Sequence, residues 1–241
     1  MTTIGKLLFE QPIVIVACDV TDFDELQKLV SLTYDIPGIG GYKLGFALGY
    51  RGLSEATEII KEYTEDALII FDHQKGGTDI PAMGKVFAQI MDDSEIDAAI
   101  LFPFGGRVTE EKWIEALQEA GIIPVVGGEM THEGFLRKDG GFIADAAPWD
   151  IYEIAVNMGV SNFVVPGNKV ESVAGYKDYL DRIIGTGKYT LSAPGFITQG
   201  GKVSEFAKVA GDKWAAIVGS GIYAAPDIRE AAFRVVSALG Y

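Results

Sequence analysis

Three charged residues follow a short apolar run in a pattern that could do chemistry. Residues 67–70 read Ala-Leu-Ile-Ile, which is typical of a buried parallel strand, and Asp72, Lys75 and Asp79 follow it among glycines. Charges that gather where a buried strand emerges must be paired, solvated or held for a reaction. A solvated turn with an incidental ion pair would explain two such charges. Three charges with a Gly-Gly pair between them favour a catalytic site.

The rest of the chain alternates between strand and helix patterns that must position this segment. Apolar runs predict strands at residues 13–18, 41–45, 67–72, 98–102, 122–126, 162–166, 189–193 and 215–219. Spaced apolar residues predict helices at residues 23–34, 54–65, 80–91, 109–120, 149–158, 171–184, 202–210 and 227–239. Eight alternations in 241 residues predict an α/β protein, a (β/α)8 TIM barrel, with residues 1–241 as a single domain. A dinucleotide-binding sheet is disfavoured, because residues 19–22 read Asp-Val-Thr-Asp where its glycine motif would stand.

Such a barrel builds its active site from the carboxyl ends of its strands and the loops that follow them. Asp19 ends the first predicted strand, Lys43 lies in the second, and Asp72, Lys75 and Asp79 follow the third. A lysine in an apolar strand is rarely buried without a partner, so these five residues are expected to share one small space. Simpler roles stay open for two of them, since Asp19 and Asp79 could each cap the helix that follows.

Two glycine-rich loops follow the last two predicted strands. Residues 194–201 read Pro-Gly-Phe-Ile-Thr-Gln-Gly-Gly, and residues 219–221 read Gly-Ser-Gly. Glycine leaves backbone N–H groups accessible to an anion, and barrels of this class often bind phosphate at these two loops. Either loop alone could be a tight turn. Together they predict a phosphorylated small-molecule ligand.

Composition argues against several classes of protein. The formal net charge of −14 disfavours nucleic acid or an anionic membrane as a partner, and no apolar run approaches the roughly 20 residues that span a bilayer. A single cysteine and the lack of a signal-peptide pattern predict a cytoplasmic protein. Two histidines and one cysteine argue against a zinc site, whereas Asp19 and Asp72 could hold magnesium. No Gly-x-Ser-x-Gly motif supports a serine nucleophile.

Taken in chain order, these motifs resemble the orotidine 5′-phosphate decarboxylase family, especially its shorter microbial form. The resemblance covers nearly the whole chain and includes the Glu-Met-Thr-His segment at residues 129–132. The family signature Asp-x-Lys-x-x-Asp-Ile has one extra residue in each gap here, between Asp72 and Asp79. Thr131 replaces a usual serine, and Ser220 stands where a phosphate-binding arginine is usual.

The resemblance implies a carboxy-lyase that converts orotidine 5′-monophosphate to uridine 5′-monophosphate in pyrimidine biosynthesis without a cofactor. Lys75 would stabilise the carbanion at C6 and supply its proton, and Asp72 would lie against the departing carboxylate. Lys43 and Asp79 would keep the charges aligned, with Asp79 and Ile80 entering the site of a neighbouring subunit in a homodimer. The other residues expected to bind substrate are Asp19, Thr131, Pro194, Gln199, Gly219 and Ser220.

The missing arginine leads to an expectation about phosphate. The anion should rest on backbone N–H groups of residues 200, 201 and 219–221, with the Ser220 hydroxyl and the Gln199 amide. A side-chain cation could substitute for the arginine, and Lys202 and Arg229 are the candidates nearest in sequence.

Two alternative functions stay open from the sequence. Magnesium-dependent sugar-phosphate enzymes of the same superfamily, such as 3-keto-L-gulonate 6-phosphate decarboxylase and hexulose-phosphate synthase, share the strand-three motif. They typically have a glutamate ligand where this chain has Lys43, and an ammonium there repels a divalent cation. The second alternative is a catalytically silent barrel that binds a phosphorylated ligand, which the longer strand-three loop and Ser220 keep open.

Overall fold

A ring of parallel strands forms the centre of the molecule. The computed structural model describes residues 3–73 and 77–240, and within them the strands pair in chain order and close into a barrel. The strands are β1 Ile13–Cys18, β2 Ile39–Gly45, β3 Leu68–Asp72, β4 Ala98–Leu101, β5 Ile123–Gly127, β6 Asn162–Val164, β7 Thr190–Ala193 and β8 Trp214–Val218. The predicted strands agree with these within two residues at either end.

Helices cover the outside of the barrel and connect successive strands. They are α1 Phe23–Thr33, α2 Phe46–Tyr63, α3 Met83–Asp93, α4 Arg107–Glu119, α5 Ala147–Asn157, α6 Val170–Ile183, α7 Val203–Ala210, α8 Ser220–Tyr223 and α9 Ile228–Ser237. The predicted (β/α)8 fold class is therefore confirmed. In the described part of the chain, no helix has both the length and the apolarity needed to cross a membrane.

The start of α2 differs from the sequence prediction. The predicted helix begins at residue 54, whereas α2 begins at Phe46, directly after Gly45 ends β2. Gly52 interrupts it with φ 156° and ψ 98°, so that two helical pieces meet at a kink. A glycine can adopt this conformation without a Cβ clash. The glycines at 49 and 52 are typical of a loop, which is why the sequence predicts a later start for this helix.

Alternation along the strands decides which side chains face the barrel interior. Val14, Val16 and Cys18 of β1 pack outward against the helices, while Ile15 and Ala17 join the inner core cluster. The same period places Tyr42 and Leu44 of β2 in the outer cluster, so Lys43 between them points inward. In the strand register Lys43 stands beside Ala17 of β1 and Ile70 of β3. The ordinary alternation of side chains along β2 therefore places the Lys43 ammonium inside the barrel.

Glu110 in the first turns of α4 is an acidic group inside the apolar layer. Its side chain is 1% exposed, and its Oε1 has no hydrogen-bond partner among the described residues. Burial, and secondarily the carboxylate of Glu111, raise the pKa of Glu110 to about 9 against the opposing effect of Arg107. The carboxyl group is therefore protonated in the folded protein at neutral pH.

A pH-dependent stability follows from this buried acid. The unfolded group titrates near pH 4.5 and the folded group near pH 9, so the unfolded chain binds fewer protons between these values and stability falls as pH rises. Because of Glu110, the free energy of unfolding of the parent protein should fall by on the order of 2–4 kcal/mol from pH 5 to pH 8. We expect this fall to be absent in Glu110→Gln. Urea titrations at both pH values measure it. Glu111→Gln is the matched control, since Glu111 is partly exposed and paired with Arg107 at 2.8 Å. If the free energy of unfolding depends on pH equally in the parent and in Glu110→Gln, the expectation is wrong.

Candidate active site

A cavity of about 330 Å³ opens at the carboxyl ends of the strands. Its walls combine charged groups from β1–β3 with apolar side chains from β4, β6 and β8, and loop residues from β5, β7 and β8. Eight residues expected at the site line it: Asp19, Lys43, Asp72, Thr131, Pro194, Gln199, Gly219 and Ser220. The structure therefore brings together residues that are up to about 200 positions apart in the chain.

Lys43 lies between two carboxylates at the base of the cavity. Its Nζ donates to Asp72 Oδ2 at 3.0 Å and to Asp19 Oδ1 at 3.1 Å. Lys43 and Asp72 are 8% and 6% exposed, whereas nearly half of the Asp19 side chain reaches solvent. Burial alone would favour a neutral amine, but Asp72 and Asp19 together outweigh it and raise the pKa of Lys43. The ammonium is therefore fixed as a cation beside two anions.

Asp19 does not cap the helix that follows it. Asp22 does so instead, because its Oδ1 accepts from the backbone N–H of Glu25 at 2.9 Å. The Asp19 carboxylate is left to face Lys43, and a Cβ on Gly45 would lie 2.6 Å from Asp19 Oδ1. Glycine at position 45 is thus what gives the carboxylate room beside the lysine.

Two residues expected from the strand-three motif, Asp79 and Ile80, are not among the described walls of the cavity. Lys75 falls outside the described residues. Asp79 and Ile80 are exposed and do not line the cavity of their own chain; Asp79 Oδ1 accepts from the N–H of Ile80 at 2.6 Å. Asp79 is not a helix cap either, because α3 begins at Met83 with Ala82 as its N-cap.

The expected phosphate cradle is only partly available in this structure. The N–H of Gly200 donates to Ile197 O at 3.2 Å, and the N–H of Gly201 donates to Gly195 O at 3.0 Å. Both N–H groups donate to carbonyl groups of the loop after β7. The prediction that they bind the anion is therefore wrong for this conformation. At the other loop, Ser220 begins α8, and its Oγ donates to Thr198 Oγ1 at 3.1 Å.

The two candidate replacement cations have other partners. Arg229 forms a two-bonded ion pair with Asp35, at 2.6 and 3.0 Å, and also donates to Leu32 O. This pair joins α9 to the end of α1 and does not line the cavity. Lys202 is mostly exposed and paired with Glu205 at 2.9 Å, and it does not line the cavity either.

A second ionic cluster adjoins the cavity and was not predicted as such. Glu129 is 2% exposed; Lys169 Nζ donates to its Oε1 at 2.8 Å and the Tyr176 hydroxyl donates to its Oε2 at 2.5 Å. Asn168, next to Lys169, donates to the backbone oxygen of Thr131 at 3.0 Å. Glu129 appears in the sequence only as part of a motif, and no local spacing connects residues 129, 169 and 176. The pairing of β5 with β6 brings them together.

Magnesium does not fit the acidic residues at the base of the cavity. Both carboxylates that could hold it, Asp19 and Asp72, accept hydrogen bonds from the Lys43 ammonium. A divalent cation bound there would lie against a fixed positive charge. Within residues 3–73 and 77–240, no three His, Cys, Asp or Glu side chains are grouped as a metal site requires.

The fold and the site define a class of protein: a (β/α)8 barrel with a buried lysine–carboxylate array at the carboxyl ends of its first three strands. Residues 12–235 match the sequence profile described as "Orotidine 5′-phosphate decarboxylase / HUMPS family". The chain belongs to this family.

Individual relatives agree with the family match. A protein of Methanosarcina barkeri named orotidine 5′-phosphate decarboxylase is 32% identical over 226 residues, which cover 92% of each chain. The crystal structure of orotidine 5′-phosphate decarboxylase from Pyrococcus horikoshii is similar with a TM-score of 0.75 and 26% identity, covering 94% of this chain and 99% of that one. The Methanocaldococcus jannaschii orotidine 5′-monophosphate decarboxylase, complexed with inhibitor BMP, gives 0.78 at 24% identity, covering 96% and 100%, and supports the fold.

Proposed function

We propose that this protein decarboxylates orotidine 5′-monophosphate to uridine 5′-monophosphate in pyrimidine biosynthesis, as a carboxy-lyase. The observation that carries the proposal is the buried Lys43 ammonium, held between Asp19 and Asp72 in a barrel of this family. The relatives that bear the name of this enzyme align with about nine tenths of the chain and support the same substrate.

The proposed reaction needs charges placed in advance. The bond between C6 and the carboxylate carbon breaks, CO₂ leaves, and the electron pair stays at C6, where a proton from the Lys75 ammonium replaces the lost group. No neighbouring π-system delocalises that pair, so stabilisation must come from preorganised charge. Lys43 would hold Asp72 in place against the departing carboxylate, and no metal or organic cofactor takes part.

The ammonium at position 43 also favours this reaction over that of the magnesium-dependent sugar-phosphate enzymes. Orotidine 5′-monophosphate should lose its characteristic ultraviolet absorbance on addition of the protein, and EDTA should leave the rate unchanged. Activity that appears only with magnesium, on a keto-sugar phosphate, would support the sugar-phosphate alternative. Turnover of neither substrate would support a silent binding barrel.

We also propose that the chain works as a homodimer in which Asp79 reaches the neighbouring site. An exposed apolar stripe supports this: Ile80 precedes α3, and Met83, Val86 and Ile90 follow at helical spacing, with exposed fractions of 62%, 37%, 49% and 48%. Contiguous exposed apolar surface is typical of a protein interface. Asp79 lies next to this stripe in sequence and is exposed in its own chain. A second copy that covered the stripe would draw Asp79 towards its partner.

The phosphate of the nucleotide is proposed to bind mainly to backbone groups at the start of α8. Ser220→Ala should then weaken binding of uridine 5′-monophosphate by only about 0.5–1.5 kcal/mol, as for one ordinary hydrogen bond. Gly219→Val should cost more, roughly a hundredfold in Kd or about 2.7 kcal/mol. A Cβ there already meets Ala17, Asp19 and Tyr223 at 3.4 Å, and the γ-carbons of valine would fill the adjoining space.

Isothermal titration calorimetry measures both affinities, with melting curves to confirm that each variant is folded. Lys202→Ala tests the alternative that a side-chain cation binds the phosphate. A hundredfold loss of affinity on Lys202→Ala would contradict a cradle made of backbone groups.

A further inference from the structure

The ammonium of Lys169 has three acceptors, one for each of its N–H bonds. These are Glu129 Oε1 at 2.8 Å, Met130 O at 2.9 Å and His132 O at 3.3 Å. Two of the three are main-chain carbonyls, and they stand on either side of Thr131. Lys169 itself comes from the loop between β6 and α6, so it ties the β5 loop to a different part of the barrel.

Glu129 links the same loop to Lys169 and to α6. Its second carboxylate oxygen accepts from the Tyr176 hydroxyl of α6. Burial, together with this hydrogen bond, raises the pKa of Tyr176, so the hydroxyl remains a donor. Both carboxylate oxygens of the buried Glu129 thus accept a hydrogen bond. The backbone carbonyl groups of Met130 and His132, on either side of Thr131, are both held by Lys169.

We propose that Lys169 is a positioning residue that sets the Thr131 hydroxyl for recognition of the base of the nucleotide. The inference rests on the proposed function, in which the phosphate lies at the start of α8. Thr131 lines the cavity after β5, which is opposite β1 and three strands from β8 in the barrel, so the base of the nucleotide would extend towards Thr131. Lys169 does not line the cavity itself and acts through the loop. A purely structural lysine would support all ligands of the site alike, whereas a positioning lysine affects those that contact Thr131.

The experiment compares two ligands that differ by the base: uridine 5′-monophosphate and ribose 5-phosphate. The test variant is Lys169→Met combined with Glu129→Gln, which leaves no buried charge unpaired and keeps an acceptor for Tyr176. We expect Kd for uridine 5′-monophosphate to rise about tenfold and Kd for ribose 5-phosphate to stay within about twofold. In a Thr131→Val background the same change should cost less than about twofold, because the hydroxyl it positions is gone.

Lys177→Met is the matched control. Lys177 has the same side-chain exposure as Lys169, 22%, and is also paired with a carboxylate, but its partner Asp181 is on α6 away from the site. It should leave both affinities unchanged. If the double variant does not fold, Lys169→Arg replaces it: a planar guanidinium cannot match all three acceptors, and a selective loss of about threefold is expected for uridine 5′-monophosphate.

Equal losses for the two ligands, no loss for either, or a full tenfold effect in the Thr131→Val background would overturn the inference. The outcome is separable from the proposed function. If the variants show the selective loss but the parent protein does not decarboxylate orotidine 5′-monophosphate, the inference stands and the proposed activity is wrong. If the parent protein is active but the variants show no selective loss, the activity stands and the inference is wrong.

Discussion

Lys75→Ala is expected to abolish decarboxylation while the protein still binds uridine 5′-monophosphate. Lys75 is the proposed proton donor to C6, so its ammonium acts mainly in the transition state and contributes little to ground-state binding. We expect kcat to fall more than about a thousandfold, equivalent to about 4 kcal/mol, with Kd for the product nucleotide within about tenfold of the parent. Single-turnover absorbance assays and calorimetry measure the two quantities.

The matched control for this change is Lys208→Ala, which removes an exposed lysine from α7. It should leave kcat unchanged. Turnover of Lys75→Ala within about tenfold of the parent, a difference of only about 1.4 kcal/mol, would show that Lys75 is not the proton donor.

Mixing two inactive variants should restore activity if Asp79 serves the neighbouring site. A heterodimer of Lys75→Ala and Asp79→Ala chains would contain one site with both defects and one with neither. Random exchange of equal amounts makes half of the dimers mixed, so about a quarter of all sites should become active if the two sites are independent. Activity per total site after mixing is the quantity to measure.

Native mass spectrometry provides the control for subunit exchange, since differently tagged chains give distinct dimer masses. Each variant mixed with itself should stay inactive. A mixture that contains verified heterodimers and remains inactive would mean that Asp79 acts in its own chain or has no role in the site.

The part of the site that the sequence predicts best depends on strand alternation. Lys43 and Asp72 are inward because their strand neighbours are large apolar residues that pack against helices, and this period of two is local in sequence. Asp19 follows the same alternation after Ala17. The order of strands around the barrel then determines which of these residues meet, so fold class and charge array could be predicted together.

Other features depend on contacts that have no local signal. Lys169 and Glu129 are 40 positions apart and meet because β5 pairs with β6. The glycine-rich sequence suggests that the N–H groups of Gly200 and Gly201 are free to bind an anion. In the structure they donate to carbonyl groups of the same loop. The choice of Asp22 over Asp19 as the cap of α1 likewise depends on the backbone path after β1.

The most direct test of the proposed reaction is proton NMR of orotidine 5′-monophosphate incubated with the protein in D₂O and EDTA. We expect uridine 5′-monophosphate with one deuterium at C6, seen as loss of the H6 signal and collapse of the H5 doublet to a singlet. Substrate that remains unchanged, or a product that forms only when magnesium replaces EDTA, would contradict it.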